Sequence, residues 1–578
     1  MSFYRFVGFT VPKRSIEALL SVLVALACPA AMGQIKPDSG QILQQSQEPL
    51  RLPRREGADV APKPPAPPPA LKPQPSLKVT VSRFSFTGNT LYDDAALQEV
   101  VKEFIGKPLT FDELNDVATK VRAFHRQRGY FLAQAYLPEQ TIRGGAVQIA
   151  IIEGRVGVLE LVRKPASRLS ERLLAGIIGS HLNEGDLITE IGLERPLLLI
   201  NDLPTAQVAS EIRRSETVGS ADLRVNVDKG DDLVSGYVDL DNEGNRFTGE
   251  YRRGFNVNLN NPTTLGDQLS FRGFNTDEHM WYARFSYLVP VNYYGTRVGV
   301  SYSKFDYSLG KTEFVAQRAN GDGEVKSIYG FHPIIRTRNT NVIVQLSYED
   351  RRLTDRVDSS GTSNTHYVSA TKANLVGDFR DSFLGGGLNA YTLSFTNGNV
   401  GIAPGGEVVN DQNGHKTLGD FKTYGLQARR LQRVSDNFSL LGALQMQRAD
   451  KNLTSSEKFS IGGPNAVRAY PVSEGTGDEG LVLQTELRYV WPGYKPFGGD
   501  ITVMSFWDYG QSTLNRKPLT GDNPNYRSIA GYGVGASVGK DGNFLARISF
   551  AWRADGETPQ ADKAPRIPRI WFQAIKYF

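Results

Sequence analysis

The sequence predicts a transmembrane β-barrel of about sixteen antiparallel strands, preceded by two small α+β domains. Three observations support this fold class. From about residue 230 to the end of the chain, helical patterns vanish, and segments of roughly ten residues alternate apolar with polar side chains. Between residues 78 and 229, one order of strands and helices occurs twice. The first 33 residues have the pattern of an export signal.

The alternating segments identify the barrel. The segment WYARFSYLV places Trp281 and Phe285 on one face and Arg284 on the other. An apolar face of about ten residues, with aromatic side chains near its ends, is typical of a strand between lipid and a polar lumen. A soluble β-sandwich also alternates, but its apolar face points inward. Closure of the sheet would satisfy every backbone group in a bilayer. We therefore expect a barrel over residues 230–578, ending on the aromatic Phe578.

The N-terminus predicts a secretory signal over residues 1–33. Basic residues precede the apolar run IEALLSVLVALACPAAM, and Ala31-Met32-Gly33 supplies small residues for cleavage. The run is shorter than the roughly 20 residues that a membrane anchor needs. Cys28, the only cysteine of the chain, lies within it, next to Pro29 and in a context unsuited to lipid attachment. The exported protein would therefore be stabilised without disulfides, by its cores and by sheet closure.

Residues 34–77 divide into two parts. The stretch SGQILQQSQEPL has the composition of a short polar helix. PKPPAPPPALKPQP is proline-rich and predicts an extended, semi-rigid spacer. We expect a helix followed by a linker.

Residues 78–154 and 155–229 predict two modules, each with the order β-α-α-β-β. In the first module, Thr110 and Glu113 form a capping box at the start of the second helix, which Gly129 ends. The second module repeats the pattern in weaker form. This internal repeat predicts two domains of one kind in front of the barrel.

Two residues of the modules carry specific expectations. His125 is predicted to be a solvated residue of its helix. Pro196 falls where the second helix of the second module should be running, so we expect that helix to start or kink there.

Composition and motifs exclude several function classes. The formal net charge is +5 and no basic stripe is concentrated in one region, so nucleic acid is not implied as a partner. The six histidines lack metal-ligand spacing, and no Gly-x-Ser-x-Gly elbow or His-Glu-x-x-His pair occurs. We expect no enzymatic activity, no metal and no cofactor. A passive porin is an alternative, but it would explain the barrel without explaining the two modules.

A glycine-rich stretch in the barrel region carries an unusual unit. The sequence GGPNAVRAYPVSEGTGDEG, from Gly462 to Gly480, predicts a long irregular loop. Within it stand an apolar residue, an arginine, a small residue and an aromatic residue, namely Val467, Arg468, Ala469 and Tyr470. The next predicted strand but one contains Phe506-Trp507-Asp508.

Together these features resemble the outer-membrane transporters of two-partner secretion, the relatives of the filamentous-haemagglutinin transporter and the haemolysin activators. The resemblance covers nearly all of the exported chain. The two modules would be POTRA domains, with FTGNT, GYFLAQAYLP and IIEGRVG in the first, and LERPLLLINDLP and ADLRVNV in the second. Two modules rather than five argue against the outer-membrane protein insertase branch of the superfamily.

The resemblance also implies an identity for the loop. In the family a long extracellular loop folds back into the lumen, with Val-Arg-Gly-Tyr/Phe at its tip, and the arginine faces the aspartate of a Phe-x-Asp motif. Here the tip would be Val467 to Tyr470, and the partners Phe506 and Asp508. Ala469 replaces the glycine, so a left-handed backbone there would be strained unless glycine is preferred for another reason. Thr205 likewise stands where the family has glycine. A solvated arginine without a partner is the alternative.

The function implied by the resemblance is export of one large, β-rich exoprotein across the outer membrane without ATP. The exoprotein would be bound, extended, through its N-terminal secretion domain by POTRA domains in the periplasm. The other partners would be outer-membrane lipid and the barrel assembly machinery. The helix near residue 40 would plug the lumen at rest. Adhesin, haemolysin, haem-acquisition protein and contact-dependent toxin are all open as the exported client.

Overall fold

The computed structural model describes residues 37–46, 78–165, 167–229, 232–554, 556–562, 564 and 566–578. The predicted signal segment and the proline-rich spacer lie outside these residues. The helices are α1 (Ser39–Ser46), α2 (Asp94–Val101), α3 (Phe111–Arg126), α4 (Glu171–Gly179), α5 (Glu190–Asn201), α6 (Thr312–Val315) and α7 (Gly406–Asn413). Short 3-10 segments occupy Lys102–Phe104, Phe383–Gly385, Ser455–Glu457 and Pro496–Gly498. Within the described ranges, no helix has both the length and the apolar character to cross a membrane.

The first module packs two helices on a three-stranded sheet. Its strands are β1 (Lys78–Thr80), β2 (Arg83–Thr87), β3 (Pro108–Thr110), β4 (Gln134–Tyr136) and β5 (Ala146–Ile152). Three of these strands form the sheet, in the order β2-β5-β4, with β2 parallel and β4 antiparallel to β5. Strands β1 and β3 form a separate antiparallel pair. The capping box predicted for α3 is confirmed, since Glu113 N donates to Thr110 Oγ1 at 3.3 Å and Thr110 N donates to Glu113 Oε2 at 2.7 Å.

Two motifs of the first module meet at one buried carboxylate. Glu153, from IIEGRVG, accepts hydrogen bonds from the backbone N–H groups of Thr90 at 2.5 Å and Leu91 at 2.7 Å, beside FTGNT. Burial opposes ionisation of this group, but these bonds and the Thr90 hydroxyl lower the pKa of Glu153. The ionised carboxylate therefore fixes the turn that follows β2.

The second module repeats this arrangement. Its strands are β6 (Arg155–Arg163), β7 (Ala206–Arg214) and β8 (Ser220–Lys229). The order is β6-β8-β7, again with one parallel and one antiparallel pair. Thr205 precedes β7 with a φ of 67°, so the position where the family has glycine is left-handed here. The two modules are thus one pattern of pairing used twice.

Two expectations for the modules are wrong. His125 is fully buried, its Nδ1 lies 2.9 Å from the carbonyl oxygen of Val121, and its ring packs against Tyr92. The α3 face that contains it, with Val117 and Val121, points into the core, so helical position outweighs polarity. A helix start at Pro196 is also wrong, because α5 runs through this residue from Glu190 to Asn201. The alternative expectation, a kink at Pro196, stays a prediction.

The modules are joined through a shared core. Leu132, which belongs to the first module, is buried in the apolar cluster of the second module with Val156 and Leu193. Arg155 Nη2 donates to Thr90 Oγ1 at 2.9 Å across the same junction. The boundary between the modules is therefore packed, not a free linker.

The rest of the chain forms a closed barrel of sixteen antiparallel strands, as predicted. The strands are β9 (Val234–Asp241), β10 (Arg252–Asn260), β11 (Gln268–Thr276), β12 (Met280–Pro290), β13 (Arg297–Ser308), β14 (Ala319–Arg336), β15 (Thr340–Val357), β16 (Thr362–Asp381), β17 (Gly387–Ile402), β18 (Gly419–Arg433), β19 (Phe438–Ala449), β20 (Glu479–Trp491), β21 (Asp500–Thr513), β22 (Tyr526–Lys540), β23 (Phe544–Arg553) and β24 (Arg569–Tyr577). The first and last strands close the sheet, from Gln573 opposite Asp241 to Tyr577 opposite Tyr237.

Alternation places apolar side chains outside and polar ones inside. On β15, Leu346 and Tyr348 are exposed on the outer surface, whereas Gln345 and Ser347 are buried on the inner one. Phe578 N and O form hydrogen bonds with the backbone of Gly236, which extends the closing pair to the last residue. The outer surface is thus apolar, as a strand in lipid requires.

The second module docks on the barrel. Arg336, at the end of β14, donates two hydrogen bonds to the carboxylate of Asp202, at 2.8 and 2.6 Å. Arg195, on α5, donates to the carbonyl oxygens of Pro333 at 2.7 Å and Ile334 at 3.0 Å. These charge-assisted bonds fix the module against the turn between β14 and β15.

Candidate functional site

The loop between β19 and β20, residues 450–478, folds back against the inner wall of the barrel. Its two limbs pair, since Phe459 N donates to Gly477 O at 2.7 Å and Gly477 N donates to Phe459 O at 2.8 Å. Val467 N donates to Ile461 O at 3.0 Å and closes the tip. The stretch is therefore a folded hairpin, not a solvated irregular loop.

Arg468 lies at the tip and faces Asp508 on β21. Its Nε donates to Asp508 Oδ2 at 2.8 Å, its Nη2 to Oδ1 at 2.7 Å, and its backbone N to Oδ2 at 3.1 Å. The guanidinium carbon lies 3.5 Å from the centre of the Phe506 ring. Arg468 is 6% exposed and Asp508 is 0% exposed. The pair is enclosed, the condition under which removing one partner costs roughly 3–5 kcal/mol.

A second carboxylate completes the charge balance. Arg468 Nη1 donates to Glu486 Oε1 on β20 at 2.6 Å, and Arg488 Nε donates to Glu486 Oε2 at 2.7 Å. Two arginines thus face two carboxylates, and no net charge is buried. Glu486 was not among the site residues predicted from the sequence. The register, which puts Glu486 opposite Phe506, is the signal that identifies it.

Ala469 fits without a left-handed backbone, because it is not among the residues with positive φ. Its methyl group instead packs against β22, where an added Cβ on Gly531 would lie 2.5 Å from Ala469 Cβ. A small residue is required at this point because the loop touches the wall backbone. The short distance between position 469 and the backbone of β22, not a left-handed backbone, is the physical reason for glycine or alanine at this position.

The tip also reaches strands far along the chain. Trp571 Nε1, on β24, donates to Arg468 O at 2.7 Å, and Tyr470 OH donates to Glu557 O at 3.2 Å. Val467 and Tyr470 are fully buried and share an apolar cluster with Ile529. Sequence reasoning missed Trp571, since nothing local links it to the loop.

Helix α1 lies within the barrel against the other side of the wall. Ser39 N and Oγ both donate to the Asp355 carboxylate on β15, each at 2.8 Å. Ile42 and Leu43 are buried in an apolar cluster with Phe305 and other inward side chains of β11–β15. The predicted helix therefore exists, and it is held by two apolar side chains and by hydrogen bonds to one carboxylate.

Helix α1 and the loop touch each other. Gln44 Nε2 donates to Lys458 O at 2.6 Å, and Gln45 Nε2 donates to Ser473 Oγ at 2.7 Å. The approach is close, because a Cβ added to Gly40 would lie 2.5 Å from Ser456 N. The two elements therefore form one assembly inside the barrel.

An acidic residue marks the start of α1. Asp38 accepts a hydrogen bond from Gln41 N at 2.9 Å, as a helix cap. Burial and the neighbouring Asp355 carboxylate raise the pKa of Asp38 to about 6. The seat of the helix therefore contains a group that titrates in the mildly acidic range.

The modules present free sheet edges. Strand β4 is the outer strand of the first sheet and β7 that of the second, and each has one neighbour only. Helix α3 packs beside β4, and α5 packs beside β7. Across the described part of the chain, no group of three or more histidine, cysteine or acidic side chains is arranged to hold a metal.

Comparison with known proteins identifies the family. The model of the haemolysin secretion/activation protein ShlB/FhaC/HecB matches residues 219–538, and that of the POTRA domain, ShlB-type, matches residues 79–154. The chain is 27% identical over 486 residues to the heme/hemopexin transporter protein HuxB of Haemophilus influenzae, covering 83% of this chain and 84% of the relative. It is 24% identical over 475 residues to the outer membrane transporter CdiB of Dickeya dadantii, covering 79% and 80%.

A solved structure has the same fold. CdiB from Escherichia coli superimposes with a TM-score of 0.71 at 20% identity, covering 95% of this chain and all of that one. The barrel lies in the outer membrane and the POTRA region in the periplasm. The chain belongs to the haemolysin secretion/activation family ShlB/FhaC/HecB, and it is an outer-membrane transporter of two-partner secretion.

Proposed function

We propose that this transporter exports one large, β-rich exoprotein as an extended chain, after α1 and the loop leave their resting places in the lumen. The observation that supports this most directly is their joint packing against the inner wall, where Ser39 contacts Asp355 and Arg468 contacts Asp508. Both elements contact the wall through side chains that can separate without breaking the barrel sheet. A passive porin has no use for such an assembly.

Recognition of the client is assigned to the periplasmic modules. The strand pairing of residues 155–229 repeats that of the first module, which supports a second POTRA domain there. Strands β4 and β7 offer edges to which an extended N-terminal secretion domain can add as a further strand. Main-chain pairing of this kind tolerates many side chains, which suits an unfolded client.

The energy for export comes from folding of the client outside the cell, because the periplasm has no ATP. The proposal assigns no catalytic step to this chain. Its other partners are outer-membrane lipid around the apolar surface and the barrel assembly machinery, which inserts it.

In this mechanism Arg468 is the latch of the loop. Its guanidinium matches the carboxylate of Asp508 with two parallel hydrogen bonds and stays charged at every physiological pH. An exposed pair would contribute under about 1 kcal/mol, too little to hold a loop of this length. The enclosed pair seen here meets the requirement for a latch.

The test uses a soluble fragment of residues 78–229, which retains the core shared by both modules. We expect it to bind the N-terminal region of the client at micromolar concentration and to inhibit secretion when it is placed in the periplasm. A client region of the same composition in scrambled order is the matched control.

A second measurement separates export from porin activity. Deletion of residues 78–229 from the full chain should abolish secretion and leave a conducting barrel. Continued secretion by this variant, or failure of the fragment to bind, would show that recognition lies elsewhere.

A further inference from the structure

Glu474 lies on the outgoing limb of the loop and is 0% exposed. A buried carboxylate is costly unless opposite charge and hydrogen-bond donors surround it. Here Arg527 Nε donates to Glu474 Oε1 at 2.8 Å, and Arg527 Nη2 lies 2.5 Å from the same oxygen. The charge of Glu474 is therefore balanced by the inner wall of β22.

The remaining lone pairs are taken by another part of the chain. Gln560 N lies 3.0 Å from Glu474 Oε1 and 2.9 Å from Oε2, and Ala561 N donates to Oε2 at 2.8 Å. These residues belong to the connection between β23 and β24, which here folds inward, since Ala561 and Asp562 are both buried. Arg527 Nη2 also donates to Thr558 O at 2.9 Å. One carboxylate thus joins two extracellular connections and the wall.

This site is separate from that of Arg468. Arg468 is balanced by Asp508 and Glu486, whereas Glu474 is balanced by Arg527, and the two sites share no charged side chain. The loop therefore has an anchor on each side of its tip. Loss of one anchor leaves the other neutral and intact.

We propose that Glu474 is a second positioning residue of the loop, one that couples its release to movement of residues 556–562. The outgoing limb of the loop cannot leave the wall while Glu474 holds Gln560 and Ala561 through their backbone N–H groups. This inference rests on the proposed export mechanism, in which the lumen must clear. It adds that two connections clear together, so the channel opens along β20–β24 as one unit.

The experiment measures the exposure of Ala561 in the full chain, in the outer membrane of intact cells. The exported chain is predicted to contain no cysteine, so Ala561→Cys provides a unique thiol for a membrane-impermeant maleimide. We expect Glu474→Ala to raise the labelling rate of Ala561→Cys by at least about tenfold, because it removes the carboxylate that holds Arg527 and the N–H groups of residues 560 and 561 together. Asp358→Ala, an exposed acidic residue in the turn after β15, is the matched control and should leave labelling unchanged.

Two further variants keep the outcome interpretable. Arg468→Ala should leave Ala561→Cys protected, because its anchor is separate. The exchange Glu474→Arg with Arg527→Glu should not restore protection, since the N–H groups of residues 560 and 561 need an anion at position 474. Full protection of Ala561→Cys in Glu474→Ala, or rescue by the exchange, would overturn the proposal.

Misassembly is excluded by the heat-modifiable migration of the folded barrel. If Glu474→Ala does not assemble, Glu474→Gln, which keeps the size of the side chain but removes its charge and one acceptor oxygen, takes its place, and full protection of Ala561→Cys in that variant would overturn the proposal. The labelling does not depend on a client. Failure of the proposed export mechanism in the fragment-binding and deletion tests would therefore leave the labelling result unchanged, so the two failures are distinguishable.

Discussion

Helix α1 and the loop of residues 450–478 both lie in the lumen, but different interactions hold them there. The loop is fixed by buried, balanced charges, with Arg468 between Asp508 and Glu486. Helix α1 contains no arginine or lysine facing the wall; it is held by hydrogen bonds from Ser39 to the Asp355 carboxylate and by the side chains of Ile42 and Leu43. An enclosed ion pair resists partial release, because separation leaves a bare charge. A short helix with two apolar contacts leaves at lower cost, so we expect α1 to move before the loop.

The largest effect should follow loss of the Arg468–Asp508 pair. We expect Arg468→Ala and Asp508→Ala each to weaken the anchoring of the loop by roughly 3–5 kcal/mol, and the double variant to be little worse than either. Secretion and protease access to the loop from the cell surface are the measurements. Normal secretion by Arg468→Ala with the tip, residues 464–470, still protected from protease would show that the arginine has no role in anchoring.

A matched control exists at the periplasmic end. Arg433 and Asp436 form an ion pair whose side chains are 64% and 88% exposed, so Asp436→Ala should change stability by less than about 1 kcal/mol. The exchanged pair, Arg468→Asp with Asp508→Arg, should fail to restore function, because it places a carboxylate beside Glu486. Rescue by the exchange would mean that Glu486 is not part of the site.

Displacement of α1 should have a smaller, separate effect. Gly40→Leu would place a side chain against Ser455 and Ser456 and unseat the helix. The loss of burial of two aliphatic side chains is about 1.5–3 kcal/mol each. Single-channel conductance in planar bilayers should rise as far as in a deletion of residues 34–60, while the loop stays protected.

The control for this variant is Gly442→Leu, at a position where an added Cβ meets nothing within 4 Å. Its conductance should equal that of the original chain. An unchanged conductance in both Gly40→Leu and the deletion would remove the plug hypothesis without affecting the latch.

The smallest effect is a pH dependence confined to α1. Asp38 has a pKa raised to about 6, so the seated helix favours its protonated form. This contribution is present at low pH and is lost as pH rises through about 6. Conductance should therefore be lower near pH 5 than near pH 7.5, and Asp38→Asn should abolish the difference while retaining the helix cap. A pH response of equal size in Asp38→Asn would contradict this assignment.

The period-two pattern of the strands was sufficient to predict the barrel, because each strand repeats the same choice between lipid and lumen. Arg468 and Asp508 were found through a motif resemblance supported by adjacency in sequence. Glu474 with Arg527, and Arg468 with Trp571, lie 53 and 103 residues apart and meet only when the sheet closes. No local pattern reports such a contact.

His125 shows a different limit of prediction from sequence, namely that residue type alone does not decide whether a side chain is buried. A polar residue at a helical position four residues after Val121 satisfies its Nδ1 within its own helix and can be buried among aromatic rings. Residue type alone predicted exposure, and the helical face decided otherwise. Ala469 is the opposite case, since the sequence posed a choice between backbone strain and close approach that only the position of Gly531 answers.

The shared core of the modules constrains how such transporters are recombined. Leu132 is contributed by the first module to the interior of the second, next to Val156. A chimaera joined between residues 154 and 155, with the second module taken from another transporter, would place Leu132 against a core that did not evolve to fit it. Exchange of the two modules as one cassette avoids that mismatch. Under the role in client recognition proposed above, the unit to exchange is the pair of modules together with the Asp202 contact that Arg336 makes on the barrel.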